Sequence, residues 1–298
     1  MKQIQIGTCV PGDQAEKWLP AIIKAGFECI SLNFHMTLGN VKLEELAPKI
    51  KEQIGDSGVR VASIGYYCNA LQYEEHKETL KYVMDCAHLF DAPMVSTFAG
   101  AVNGRPVEES IPVFKNVYGE LAKYAADKGL KIGFENCPMG STWQCARENI
   151  AFNARSWELM FDAVPDDNIG LEWEPAHQIC QLVDPLANLR KWVKKVVHLH
   201  GKDETVDWDA IRTYGILGAA DFPGRPMVYN RTPGFGETDW RDIITILRLN
   251  GYEGDICVEG YHDPVYSGEW EFTGQLHALQ YLKWCRGGDF APNPWNKD

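Results

Sequence analysis

The segment VVHLHGKDE, residues 196–204, alternates apolar residues with two imidazoles and ends on a lysine and two acids. Alternation at period two is the signature of a β-strand with each side chain on a defined face. The apolar positions are those of a buried strand, so His198 and His200 share its other face, His200 nearer the C-terminal end. A strand of this kind needs neighbours of the same kind, and the chain supplies them on both sides.

Working outward, short β-rich runs occur at 4–9 (IQIGTC), 29–34 (CISLNF), 59–65 (VRVASIG), 94–99 (MVSTFA), 131–136 (KIGFEN), 169–174 (IGLEWE) and 255–261 (DICVEGY). With 196–202 they make eight strand candidates. Between them lie stretches such as AEKWLPAIIKAG, LEELAPKIKEQIG, HKETLKYVMDCAHLF and VFKNVYGELAKYAADKG, whose apolar residues recur at three- and four-residue intervals, as on one face of a helix. Several end on glycine just before the next strand, the usual way a helix stops. Eight β-then-α units predict a (β/α)8 TIM barrel spanning 1–298 as a single domain. A doubly wound open sheet would need a G-x-G-x-x-G turn after the first strand, and GTCVPGD at 7–13 does not provide it. Residues 204–237 depart from the repeat: they hold too much glycine and proline for one continuous helix, and long loops of that kind are usually functional.

Bulk properties narrow the function. The 298-residue chain carries a formal charge of -12, which repels phosphate backbones, and no basic cluster offsets it, so nucleic acid is not an expected partner. The N-terminus lacks the pattern of a secretion signal, and no apolar run approaches the roughly 20 residues of a spanning helix, so the expectation is a cytoplasmic protein with no membrane partner. The nine cysteines are scattered without a C-x-x-C pair, which favours neither a disulfide framework nor a zinc ribbon.

In a barrel the active site lies at the C-terminal ends of the strands. Four consecutive late strands end in an acid or an imidazole: Glu135, Glu174, His200 and Glu259. Taken one at a time, such residues are ordinary caps or satisfied core histidines. Together, three carboxylates at short range need compensating positive charge, and a divalent cation provides it. Three carboxylate oxygens and one imidazole nitrogen form a mostly hard set that suits Mn²⁺, Mg²⁺ or Co²⁺ better than a tetrahedral Cys/His zinc site, with Zn²⁺ as a further option. Glu172, two residues before Glu174 on the same face, is a competing ligand or a supporting acid.

The runs IGFENCPMG, GLEWEPAHQ, VHLHGKDE, RTPGFGETDW and ICVEGYHD, in that order, resemble the sugar phosphate isomerase/epimerase group of xylose-isomerase-like barrels. The segments FECISLNF and TFAGAVNGRP resemble the group's second and fourth strands, so the likeness covers nearly the whole chain. It implies that Glu135, Glu174, His200 and Glu259 coordinate the metal and that His177 and Arg231 bind substrate. The acid of the sixth strand is commonly Asp in the group; here it is Glu174, one methylene longer. His198 is expected either to pack as a hydrogen-bonded core histidine or to orient a neighbouring ligand.

The chemistry expected is proton abstraction beside a carbonyl, with Glu135 and Glu259 as the proton-carrying pair, giving isomerisation or epimerisation of a keto-sugar or related polyol. A lyase or hydratase acting on a keto-glycoside or keto-inositol is the alternative, because the same enediolate can expel a neighbouring group. A non-catalytic sugar-binding barrel is less favoured, since it leaves the convergent ligands unexplained. The endonuclease branch of the superfamily, with more His and Asp ligands, fits neither the charge nor the ligand set. Lys202 and Trp143 are further substrate-contact candidates; Phe98, Trp270 and His35 are weaker ones, and Trp173 should face the helices. The turn PGFG at 233–236 offers backbone N–H groups to a phosphate, but only Arg225 and Arg231 accompany it, so a free sugar is favoured. Members of the group often pair through barrel helices, which leaves a homo-oligomer open for this chain, but its sequence does not give the oligomeric state.

Overall fold

A computed structural model describes residues 2–215 and 227–295 of the chain. Eight of its strands form a closed parallel barrel: β1 (Gln5–Pro11), β2 (Cys29–His35), β3 (Arg60–Tyr67), β4 (Met94–Thr97), β5 (Lys131–Glu135), β6 (Ile169–Trp173), β7 (Val196–Gly201) and β10 (Asp255–Val258). Each adjoins its sequence neighbour around the ring, and β10 closes it between β7 and β1. Closure leaves no unpaired edge. Every strand candidate from the sequence takes part.

The helices cover the outside: α1 (Ala15–Ala25), α2 (Leu43–Ile54), α3 (Glu74–Cys86), α4 (Val107–Ala126), α5 (Ala154–Ala163), a single turn α6 (Ala176–Ile179), and α7 (Pro185–Trp192). After the barrel's seventh strand come α8 (Trp208–Tyr214), α9 (Trp240–Leu249) and α10 (Glu271–Cys285). Their boundaries follow local chemistry. Asp239 caps α9 by accepting from the backbone N–H groups of Arg241 and Asp242, while Trp240, Ile243, Ile244 and Leu247 form the buried stripe behind it. Asn153 and Ser156 form a reciprocal capping box at α5, and Gly26 ends α1 with a φ of 85° that a side chain would resist. The indole of Trp173 is fully buried and reaches Asn188 of α7 at 3.3 Å, on the helix side of the barrel wall as alternation predicts.

The irregular seventh unit is a two-stranded antiparallel arm. Strands β8 (Asp203–Val206) and β9 (Val228–Arg231) pair Asp203 with Arg231 and Val206 with Val228, and α8 leads away from the first. Arg225 lies outside the described residues. No described helix is long and apolar enough to cross a membrane.

Candidate metal centre and active site

The strands β5, β6, β7 and β10 bring their terminal side chains to one point. Glu135 is the last residue of β5, Glu174 follows β6 by one residue, and Glu259 follows β10, its N–H donating to Gly201 O at 3.0 Å. His200 Nδ1 lies 3.0 Å from Glu259 Oε2, 3.6 Å from Glu174 Oε2 and 3.8 Å from Glu135 Oε1. One donor atom from each of these four residues falls within 4.8 Å of the others. Glu135, Glu174 and His200 are buried and Glu259 nearly so.

The site fits a cation on its own evidence. Both oxygens of Glu174, Glu259 Oε2, His200 Nδ1 and His177 Nε2 are buried without any hydrogen-bond partner. Orphaned buried polar atoms are costly, and several converging on one point are what a bound cation would satisfy. The donor set, three carboxylates and an imidazole, is the hard, open type expected of a divalent ion. Asn136 holds the Glu174 backbone from both sides, accepting from Glu174 N at 2.7 Å and donating to Glu174 O at 2.9 Å, and the Glu174 carboxylate reaches the cluster. Asn149 does the same for the preceding strand, donating to the carbonyls of Glu135 and Cys137.

Below this layer, Glu172 steers His200. Its Oε1 is 3.2 Å from His200 Nε2, and its Oε2 accepts from Tyr67 OH at 2.9 Å. Tyr67 OH also stands 3.3 Å from His200 Nε2. With Nε2 engaged by these groups, Nδ1 is turned toward the three glutamates, as a supporting carboxylate would orient a histidine that holds a cation. Glu172 therefore supports the site from beneath. His198 sits deeper, 1 % exposed, with Nε2 3.8 Å from Glu172 and no hydrogen-bond partner, so it is packed but not hydrogen-bonded through that nitrogen as expected of a satisfied core histidine. Burial, with repulsion from His200 and Arg60 added to it, drives its pKa well below the ordinary value.

The charges around the site divide unevenly. Burial would raise the Glu135 carboxyl, but its contacts with His177 and His200 outweigh that and bring it to about 2. Burial likewise works against ionised Glu259, and the Lys202 ammonium overcomes it, holding the carboxyl well below the usual range. Glu174 goes the other way: burial raises it despite His177 and Lys202 nearby. Lys202 Nζ is 2.9 Å from Glu259 Oε1 and 3.7 Å from Glu174 Oε1, so it pairs with the cluster and not with Asp203. His177 Nε2 lies 3.2 Å from Glu174 Oε1 and 3.6 Å from Glu135 Oε1.

A cavity of about 920 Å³ opens above these groups; Glu135, His177, His200, Lys202 and Glu259 form its floor. Tyr67, Phe98 and His35 line its wall. Two expected contacts lie elsewhere. The Trp143 indole donates to Glu108 at 2.7 Å and carries the Arg155 guanidinium over its ring, so it is committed to α4 and does not line the cavity. Arg231 lies 3.3 Å from Asp263 and over the Phe235 ring, fastening the arm to the loop after β10; its neighbour Asn230 reaches the cavity instead. Trp270 is 61 % exposed and is also absent from the lining.

The PGFG turn is also committed. Asp203, fully buried, accepts from the N–H groups of Gly234 and Thr238, and a Cβ on Gly236 would collide with its carboxylate. The chain's own acid thus takes the place a phosphate would need. Glu204, beside it, is buried with Oε2 unpaired, and burial lifts its pKa to about 8 although Lys202 and His177 pull it down. Glu204, Asn136, Asn149 and Tyr67 belong to the site without standing out in the sequence, apart from Asn136, which sits beside Glu135 in an E-N pair.

The comparisons with known proteins agree with this geometry. The chain is 28% identical over 177 residues to an inosose dehydratase of Clostridium botulinum, covering 59% of this chain and 55% of the relative, little more than half its length. It is 24% identical over 257 residues to the inosose dehydratase of Glaesserella parasuis, covering 80% and 81% of the two chains. The crystal structure of the 3-keto-D-glucoside 4-epimerase of E. coli superposes with a TM-score of 0.68 at 14% identity over 95% of this chain and 100% of the other, a likeness of fold. Residues 19–285 match the sequence family of the xylose isomerase-like TIM barrels, and the chain belongs to that family.

Proposed function

We propose that the protein is a divalent-metal-dependent enzyme that isomerises or epimerises a keto-sugar or related polyol by moving a proton beside its carbonyl. The convergence of Glu135, Glu174, Glu259 and His200 Nδ1, with unpartnered buried donor atoms at the base of an open cavity, carries this reading. A cation held by these four residues supplies positive charge beside the substrate oxygens, stabilising the negative charge that develops as the adjacent carbon loses its proton. Glu135 and Glu259 come from β5 and β10, separated in the ring by β6 and β7, so they approach substrate from different sides. In isomerisation the carboxylate that takes the proton returns the same proton to the neighbouring carbon; in epimerisation one carboxylate keeps the abstracted proton, and the other takes a proton from solvent and delivers it to the opposite face. Lys202 holds one oxygen of Glu259 and keeps that carboxylate ionised between turnovers. His177 is placed to bind a substrate hydroxyl, and Tyr67 and Phe98 give the sugar an apolar wall.

Dehydration is the second reading, favoured by the inosose dehydratase relatives. The same proton abstraction followed by departure of a β-hydroxyl, protonated as it leaves by Lys202 or His177, yields an enone and water. A panel of keto-sugars and keto-inositols incubated with the Mn²⁺-supplemented protein in D₂O separates the outcomes by NMR. Deuterium at the carbon beside the carbonyl with retained mass composition supports isomerisation or epimerisation; loss of water supports dehydration. No exchange with any member contradicts both.

A further inference from the structure

Glu135 faces two groups at once. Besides the three-glutamate cluster, its carboxylate belongs to a set with Cys137 and His177 in which one donor atom from each lies within 4.8 Å of the others. His177 Nε2, on a side chain only 10 % exposed, has no hydrogen-bond partner and lies 3.6 Å from Glu135 Oε1. Cys137 is partly exposed, and both it and His177 line the cavity. One thiol, one imidazole and one carboxylate with access to solvent form a three-ligand site with an open position, the pattern of a zinc-type ion. Its sulfur makes it softer than the neighbouring all-oxygen-and-nitrogen cluster, and sulfur ligands select Zn²⁺ over Mn²⁺ or Mg²⁺.

We infer that Glu135, Cys137 and His177 form a second cation site, thiophilic in preference, which shares Glu135 with the harder centre. As the metal–sulfur bond forms, the Cys137 thiol releases its proton to solvent. An ion seated there occupies the His177 side of the cavity and takes the Glu135 carboxylate, so excess Zn²⁺ inhibits. That inhibitory consequence rests on the enzymatic reading, whereas the binding does not.

Optical titration of the metal-free full chain with Co²⁺ tests the binding directly. The expected result is a near-ultraviolet sulfur-to-cobalt charge-transfer band that Zn²⁺ bleaches, that is lost in Cys137→Ser and that persists in Cys180→Ser. The absence of a sulfur band in the folded protein, its persistence in Cys137→Ser or its loss in Cys180→Ser overturns the proposal. Alkylation of Cys137 by iodoacetamide in the wild-type chain gives a check that needs no variant: Zn²⁺ should protect the thiol, and equal alkylation with and without Zn²⁺ contradicts the site.

Discussion

The barrel has a large cavity at each end, and the two handle buried charge in opposite ways. At the floor, beneath the strand N-termini, a cavity of about 1200 Å³ is lined by apolar and polar groups, among them Glu28, Arg60, Asp255 and Arg286, which form ion pairs. Arg286 donates to both oxygens of Glu28, at 2.6 Å and 3.0 Å, and Arg60 pairs with Asp255. At the mouth, Glu135, Glu174 and Glu259 crowd around His200 with Lys202 as the partial counterweight, and several donor atoms stay unpaired. The smaller cavity is where buried unpaired atoms cluster, whereas among the described side chains lining the floor the Arg286 Nε is left without a partner. Satisfied ion pairs mark a structural surface; a surplus of like charge at the C-terminal end marks a place that needs something from outside the chain.

The largest expected effect breaks this contrast at the mouth. Glu135→Gln and Glu259→Gln should each lower turnover by about 10²–10⁴-fold, the scale of a lost acid–base group, and abolish deuterium exchange at the substrate carbon. Full exchange in both variants would remove the proton-transfer role. Next, Glu172→Gln should weaken Mn²⁺ binding by about 10–100-fold, read by calorimetry, because the carboxylate that orients His200 is gone. Unchanged affinity would make Glu172 a bystander. At the floor, Arg286→Met removes two charged hydrogen bonds from Glu28, which keeps Lys283 and the Ile6 N–H as partners, and should cost about 1.5–3 kcal/mol in denaturant unfolding while leaving metal affinity untouched. A floor variant that changed metal binding would dissolve the distinction between the two ends.

A smaller effect concerns pH. Burial raises Glu204 to about 8, so the folded state holds that proton more tightly than the unfolded chain, where a Glu titrates near 4.3. The folded form then binds more protons across this interval, and its contribution to stability is present below about 4.3 and is lost as pH rises toward 8. Metal-free protein should therefore lose stability from pH 5 to 8 more steeply than Glu204→Gln does, measured by thermal unfolding at each pH. Equal slopes would show that Glu204 does not titrate in this range. Smallest is Asp239→Ala, which removes the α9 cap and should cost about 1 kcal/mol with no effect on either cavity.

These contrasts also separate what the sequence could reveal from what it could not. Period-two alternation exposes the barrel strands, and the polar residue breaking each late strand exposes Glu135, Glu174, His200 and Glu259, because strand ends and faces are local properties. The identity of a partner is not local. Trp143 looks like a sugar platform until Glu108, on α4, takes its indole N–H. The PGFG turn looks like an anion cradle until Asp203 fills it, and Arg231 looks free until Asp263 comes round from the loop after β10. Glu204 follows a strand of ordinary pattern, and only tertiary packing makes it buried.

The central claim is tested most directly by counting Mn²⁺ on the metal-free protein by electron paramagnetic resonance titration. One tight site per chain that disappears in the double variant Glu174→Gln/His200→Gln is the predicted result. A folded wild-type chain that leaves all added Mn²⁺ free in solution would contradict it.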